Sequence, residues 1–86
     1  MENKLSVKRT KYSVEGAMAP CIEVSNTDNF IMVRIAPYYH LIGPNTLYIT
    51  EYIDGEYNGS DEWDGDFNAL SDRDAISIAK RYSVYL

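Results

Sequence analysis

The stretch CIEVSNTDNFIMVRIAP, residues 21–37, decides the fold. Ile22 and Val24 fall on one face of an extended chain, and Ile31, Val33 and Ile35 fall on one face of a second extended run. Between them lies a cluster of turn-forming residues from Ser25 to Asn29, whose short polar side chains bond readily to their own backbone. Two alternating runs around such a cluster predict an antiparallel hairpin. Phe30 and Met32 sit on the opposite face of the return run, so this strand is expected to be covered on both sides or central in its sheet, with Arg34 reaching toward an edge. Pro37 stops it.

Toward the N-terminus, residues 11–18 alternate: Tyr12, Val14 and Met18 lie on one side, Ser13 and Glu15 on the other. This predicts a half-buried strand ended by Ala19-Pro20. Toward the C-terminus, YYHLIGPN (residues 38–45) reads as a loop or broken strand with a Gly43-Pro44-Asn45 turn. The run TLYITEYID after it points Leu47, Ile49 and Ile53 inward and Tyr48, Thr50 and Tyr52 to the other face. Asp54-Gly55 is a two-residue hairpin turn, because both residues accept positive φ cheaply. A short return at Glu56-Tyr57 is expected before an acidic loop.

A helix is expected to start at Ser71, where S-x-x-D forms a capping box with Asp74. Ala75, Ile78, Ala79 and Tyr82 recur at helical spacing and form one apolar stripe. Asp72 and Asp74 stand at the positive end of the helix dipole, Lys80 and Arg81 at the negative end. So short a helix is marginal alone in water, so its stripe must rest on the sheet. The expected architecture is α+β: one domain spanning residues 1–86, with an antiparallel sheet of three to four strands and one C-terminal helix packed across a face.

The chain has 86 residues, of which 45% are hydrophobic and 24% charged, the profile of one folded domain rather than a disordered tail. A single cysteine, Cys21, rules out an internal disulfide and fits a reducing compartment. The opening MENKLSVKRTKYS is polar, and no apolar run approaches the ~18 residues that span a bilayer. The cytoplasm is therefore the expected compartment, with no membrane partner.

Net charge is −5, but it is unevenly spread. Residues 1–50 hold five basic and four acidic side chains; residues 51–86 hold three basic and nine acidic ones. An acidic flank repels nucleic acid and attracts basic protein surfaces. The basic arm of Lys4, Lys8, Arg9 and Lys11 is too short to predict direct binding to nucleic acid.

Several chemistries fail on spacing. Placing Gly65 at the sixth position of a calcium loop aligns Glu62, Asp64, Phe67 and Asn68, yet puts Ser60 and Ser71 where the anchoring carboxylates belong. Paired carboxylates for glycoside chemistry need a cleft that so small a domain can hardly build. Cys21 and His40 share no nucleophile-and-base signature. No zinc ligand set, phosphate-cradling glycine loop or dinucleotide fingerprint is present. Neither catalysis, a cofactor nor a metal is expected.

Recognition remains. Eight tyrosines exceed what this core can use, since a buried tyrosine must still satisfy its hydroxyl. Trp63 sits inside the acidic run, either as an interface anchor or folded back to pin the run onto the sheet. In general type the chain resembles the small, acidic, single-domain inhibitors that phages encode against bacterial defence nucleases, anti-CRISPR proteins among them. The resemblance is carried by size, charge distribution and the run EYIDGEYNGSDEWDGD, residues 51–66. It implies a non-catalytic viral protein of the host cytoplasm that mimics nucleic acid in a partner's basic nucleic-acid-binding groove. The side chains expected to meet that groove are Glu51, Asp54, Glu56, Asp61, Glu62, Asp64 and Asp66, with Trp63 and Tyr57 as anchors. The alternative is a structural or regulatory interaction module, such as a homodimer that pairs sheet edges or buries Val84, Tyr85 and Leu86.

Overall fold

The computed structural model describes residues 5–37, 45–84 and 86. One antiparallel sheet of five strands is built from β1 (Leu5–Val14), β2 (Ala17–Asn26), β3 (Ile31–Pro37), β4 (Thr46–Ile53) and β5 (Glu56–Asp64), in the spatial order β1-β2-β3-β4-β5. A single 3-10 turn (Phe67–Ala69) leads into the C-terminal helix α1 (Asp72–Tyr82). The expected α+β layering holds, but the sheet has five strands, not three to four.

Two local readings account for the difference. The run at residues 11–18 is not one strand but the junction of two: Glu15 and Gly16 take φ of 48° and 83°, a tight turn that folds β2 back along all ten residues of β1. Pro20 does not end a strand either. It lies in β2 opposite Lys11 but beyond Ile22↔Ile35, where the β2–β3 pairing stops, so its missing amide interrupts no ladder there. The second difference is β5, nine residues long, where a two-residue return and an acidic loop were expected. Asp54-Gly55 is the hairpin turn before it, with φ of 54° and 79°.

The predicted hairpin of β2 and β3 stands at the centre of the sheet, with Val24 opposite Val33 and Ile22 opposite Ile35. Phe30 belongs to the turn rather than to β3. Arg34 lies on the central strand, as one of the two expectations for that strand had it, and reaches across the face away from the helix to Tyr12 of the edge strand β1. Its guanidinium is stacked 4.5 Å from the Tyr12 ring and 5.1 Å from the Tyr52 ring, and donates to the Tyr52 hydroxyl at 3.2 Å. Cys21 is buried on this same face, where desolvation, then the Glu23 carboxylate, push its thiol above the usual range.

The other face forms the core. Ile22, Val24, Val33, Ile35, Leu47 and Ile49 are buried against Ala75 and Ala79 of α1, two small residues one turn apart that let the helix lie close to the strands. Burying each such aliphatic side chain contributes about 1.5–3 kcal/mol. The predicted capping box is present: Ser71 Oγ accepts from the Asp74 N–H at 3.1 Å and the Asp74 carboxylate accepts from the Ser71 N–H at 3.0 Å. Arg9 ties the helix start to β1 by donating to Asp72 at 3.0 Å and to the Leu70 carbonyl at 2.9 Å. Among the described residues no helix is long and apolar enough to cross a membrane. The Gly43-Pro44 pair, His40 and Tyr85 lie outside the described residues.

Candidate functional site

Cross-strand rows show how the sheet delivers charge to its rim. One row reads Arg9, Ile22, Ile35, Ile49, Asp61, and the next reads Val7, Val24, Val33, Glu51, Gly59. Apolar residues fill the centre of each row, and acidic ones lie toward β4 and β5. The last strand, β5, is hydrogen-bonded to β4 on one side and is an edge on the other. It carries Glu56, Asp61, Glu62 and Asp64, all exposed, and no basic residue. Strand alternation sends Asp61 toward the helix side and Glu62 and Asp64 to the opposite face, with their partners Tyr48 and Thr46. Asp54 in the turn before β5 and Asp66 just beyond it are exposed too, so the acidic rim continues past both ends of the strand.

Some expected site residues are engaged elsewhere. Glu51 is only 7% exposed and points under the helix. One of its oxygens accepts from Asn58 Nδ2 at 2.8 Å and the other from the Ser83 hydroxyl at the helix C-cap. It is a structural carboxylate, not a contact for a partner. Its position was readable, since it shares strand parity with Leu47 and Ile49. Trp63 is half-buried: its indole N–H donates to Asp61 Oδ2 at 3.0 Å, the Tyr82 ring meets it edge-on at 5.8 Å, and Arg81 lies over its face at 5.2 Å. Of the two expectations for Trp63, the structure has it folded back onto the helix. Desolvation, followed by the nearby Glu51 carboxylate, raises the Tyr82 hydroxyl above its ordinary range.

Tyr57 remains a candidate anchor. It is 62% exposed, packs edge-on against Tyr52 at 6.2 Å and shares a 2.9 Å hydrogen bond with Ser60, which also accepts from the Tyr48 hydroxyl. Asp66 is exposed and caps the 3-10 turn by accepting from the Asn68 N–H at 3.1 Å. In the tail, Val84 is exposed, whereas Leu86 packs on the core and its carbonyl accepts from Asn26 at 3.2 Å.

Extended geometry also governs what the acidic run can do with a cation. A strand splays successive carboxylates onto opposite faces, and among the described residues no three carboxylate, thiol or imidazole groups converge on a point. The calcium-loop register dissolves for the same reason: Ser60 is inside β5 and Ser71 caps the helix.

Sequence reading missed β5 as a strand because Gly59, Asn58 and three aspartates and glutamates in four residues have low strand propensity. Pairing to β4 overrides that weakness. Asn58 is the extra residue of a bulge, with Glu51 opposite Gly59 and Tyr52 opposite Tyr57. In comparisons with known proteins, no protein-family model, curated protein or solved structure matches this chain.

Proposed function

We propose that the protein is a non-catalytic inhibitor that binds another protein, setting the acidic rim of β5 into the basic groove with which a bacterial defence nuclease holds nucleic acid. The observation that carries this reading is an exposed edge strand with four acidic side chains and no basic one. Alternate side chains of a strand project from one face about 7 Å apart, and Glu62 and Asp64 share the face away from the helix. Glu62 and Asp64, with Asp66 just beyond the strand, thus offer a row of carboxylates to the lysines and arginines that otherwise hold phosphates. Asp54, Glu56, Glu62, Asp64 and Asp66 are the contact residues, with Tyr57 as the aromatic anchor; Asp61 contributes charge while also orienting Trp63. Neither Glu51 nor Trp63 belongs to the contact surface.

The test uses the double variant E62K/D64K, which replaces two side chains that make no hydrogen bond or ion pair among the described residues, against a panel of RNA-guided and restriction nucleases. Inhibition by the wild-type protein should be lost in the variant and should weaken steeply as salt rises, because charge-steered association is screened. Equal inhibition by the variant, or none by the wild type across the panel, overturns the proposal. The alternative of a tail-mediated dimer has the exposure of Val84, at 87%, in its favour. Substituting Val84→Asp and measuring mass by light scattering separates it: a mass that the substitution leaves unchanged sinks the tail interface.

A further inference from the structure

The two edges of the sheet carry opposite charge. β1 holds Lys8, Arg9 and Lys11 and no acidic residue, while β5 holds Glu56, Asp61, Glu62 and Asp64 and no basic one. Among the described residues each edge strand has one hydrogen-bonded neighbour, and its outer side presents backbone donors and acceptors to a further strand, although on β5 the Glu62 N–H already donates to Asp61 Oδ1 at 2.8 Å. Charge on an edge normally blocks pairing with another copy of the same edge, and it does so here in both symmetric arrangements: β1 against β1 sets lysine against lysine, and β5 against β5 sets carboxylate against carboxylate. Only β1 against β5 is attractive.

We propose that a second copy of this chain is an occupant of the β5 edge, docking through its own β1 strand to continue the sheet. Lengths agree, with ten residues in β1 and nine in β5. Strand parity agrees as well. Cross-strand pairing places Lys8 on the same face as Glu62, and Lys11 on the same face as Asp61, so copies that keep their helices on one side and align Lys8 with Ser60 set each lysine diagonal to its carboxylate, two residues along, one pair on each face. Arg9 is already held by Asp72 and Leu70, which leaves Lys8 and Lys11 as the groups that steer the contact. Because the sheet has an odd number of antiparallel strands, β1 and β5 run in the same direction, and the new pair is parallel. The contact uses different surfaces on the two copies, so it repeats head to tail instead of closing into a two-fold dimer.

Sedimentation velocity on the purified protein tests this without any partner, which keeps it separate from the nuclease reading. At low salt the average mass of the wild type should climb with concentration past twice the monomer mass, and it should fall back as salt rises from 0.1 M to 1 M, where the screening length drops from about 10 Å to about 3 Å. K8Q/K11E, which avoids setting like charges opposite Glu23, and E62K/D64K should each stay monomeric alone. Mixed in equal amounts they should form pairs and stop there, since one supplies only the acidic edge and the other only the basic one. Circular dichroism establishes that each variant is folded. A wild type that stays monomeric at high concentration and low salt overturns the proposal, as does either folded variant assembling alone as the wild type does.

Discussion

Phe30 closes the β2–β3 turn with φ of 55°, a left-handed conformation that is costly for a bulky side chain, and it is 69% exposed, so little packing offsets the strain. The Asp54 N–H donates to its carbonyl at 2.9 Å, which ties this turn to the β4–β5 turn and holds the backbone in place. Asparagine tolerates the same φ far better. Phe30→Asn should therefore stabilise the domain by up to about 1 kcal/mol, read as a rise of roughly 4–8 °C in melting temperature. A fall in melting temperature would mean that the phenyl ring contributes more through the surface it shares with Ile31 and Met32 than the backbone loses. Sequence alone could not expose this strain: Phe30 continues the alternation of β3 in the letters, and only the closed turn shows it to be the last residue of the loop.

At the scale of single elements, legibility follows how local the determining forces are. Helix α1 was readable from its cap to its final basic residues because the capping box, the dipole charges and the apolar stripe all lie within the element. The central hairpin was readable for the same reason. β5 was not, because its own residues have low strand propensity and its strand state comes from pairing with β4 and from Trp63 packing on Tyr82 of the helix, forces outside the element itself. In the candidate site, the acids read as exposed on and beside β5 are exposed, but Glu51, read with them, is buried, as its parity with Leu47 and Ile49 indicates. The helix cap gives a direct check. Ser71→Ala should cost about 1 kcal/mol, measured by denaturant unfolding at neutral pH. Asp74 has a carboxyl held below its ordinary range, first by the Ser71 backbone N–H and then by its hydroxyl. A depressed folded-state value means stability that is present above the unfolded value, near 3.9, and lost as pH falls through the folded one. Asp74→Asn should accordingly be less stable than wild type at neutral pH, and the gap should close under acid conditions below about pH 4. A gap that persists there would assign the effect to shape rather than charge.

For the molecule as a whole, the sheet separates charge across its width, positive along β1 and negative along β5, with an apolar core between them on the face roofed by α1. Both proposals draw on that polarity, one through the partner it attracts and the other through the chain's own far edge. The order of the strands has a different consequence. Since β1-β2-β3-β4-β5 is both the chain order and the spatial order, every ladder joins segments that are consecutive along the backbone, and little loop-closure entropy opposes its formation. Contacts that span the chain include those of α1 with the first three strands, the Arg9–Asp72 pair and the Asn26–Leu86 hydrogen bond. Such contacts can form only once the strands have made a surface to receive them, so the sheet should assemble first and the helix dock last. Ala79→Gly, a change in the docked face worth about 1 kcal/mol in helix propensity alone, should then leave the folding rate nearly unchanged and raise the unfolding rate about fivefold or more. Stopped-flow kinetics across denaturant reads both arms. A slowed folding arm instead would place the helix in the nucleus and make the last element of the chain the first to commit it to the fold.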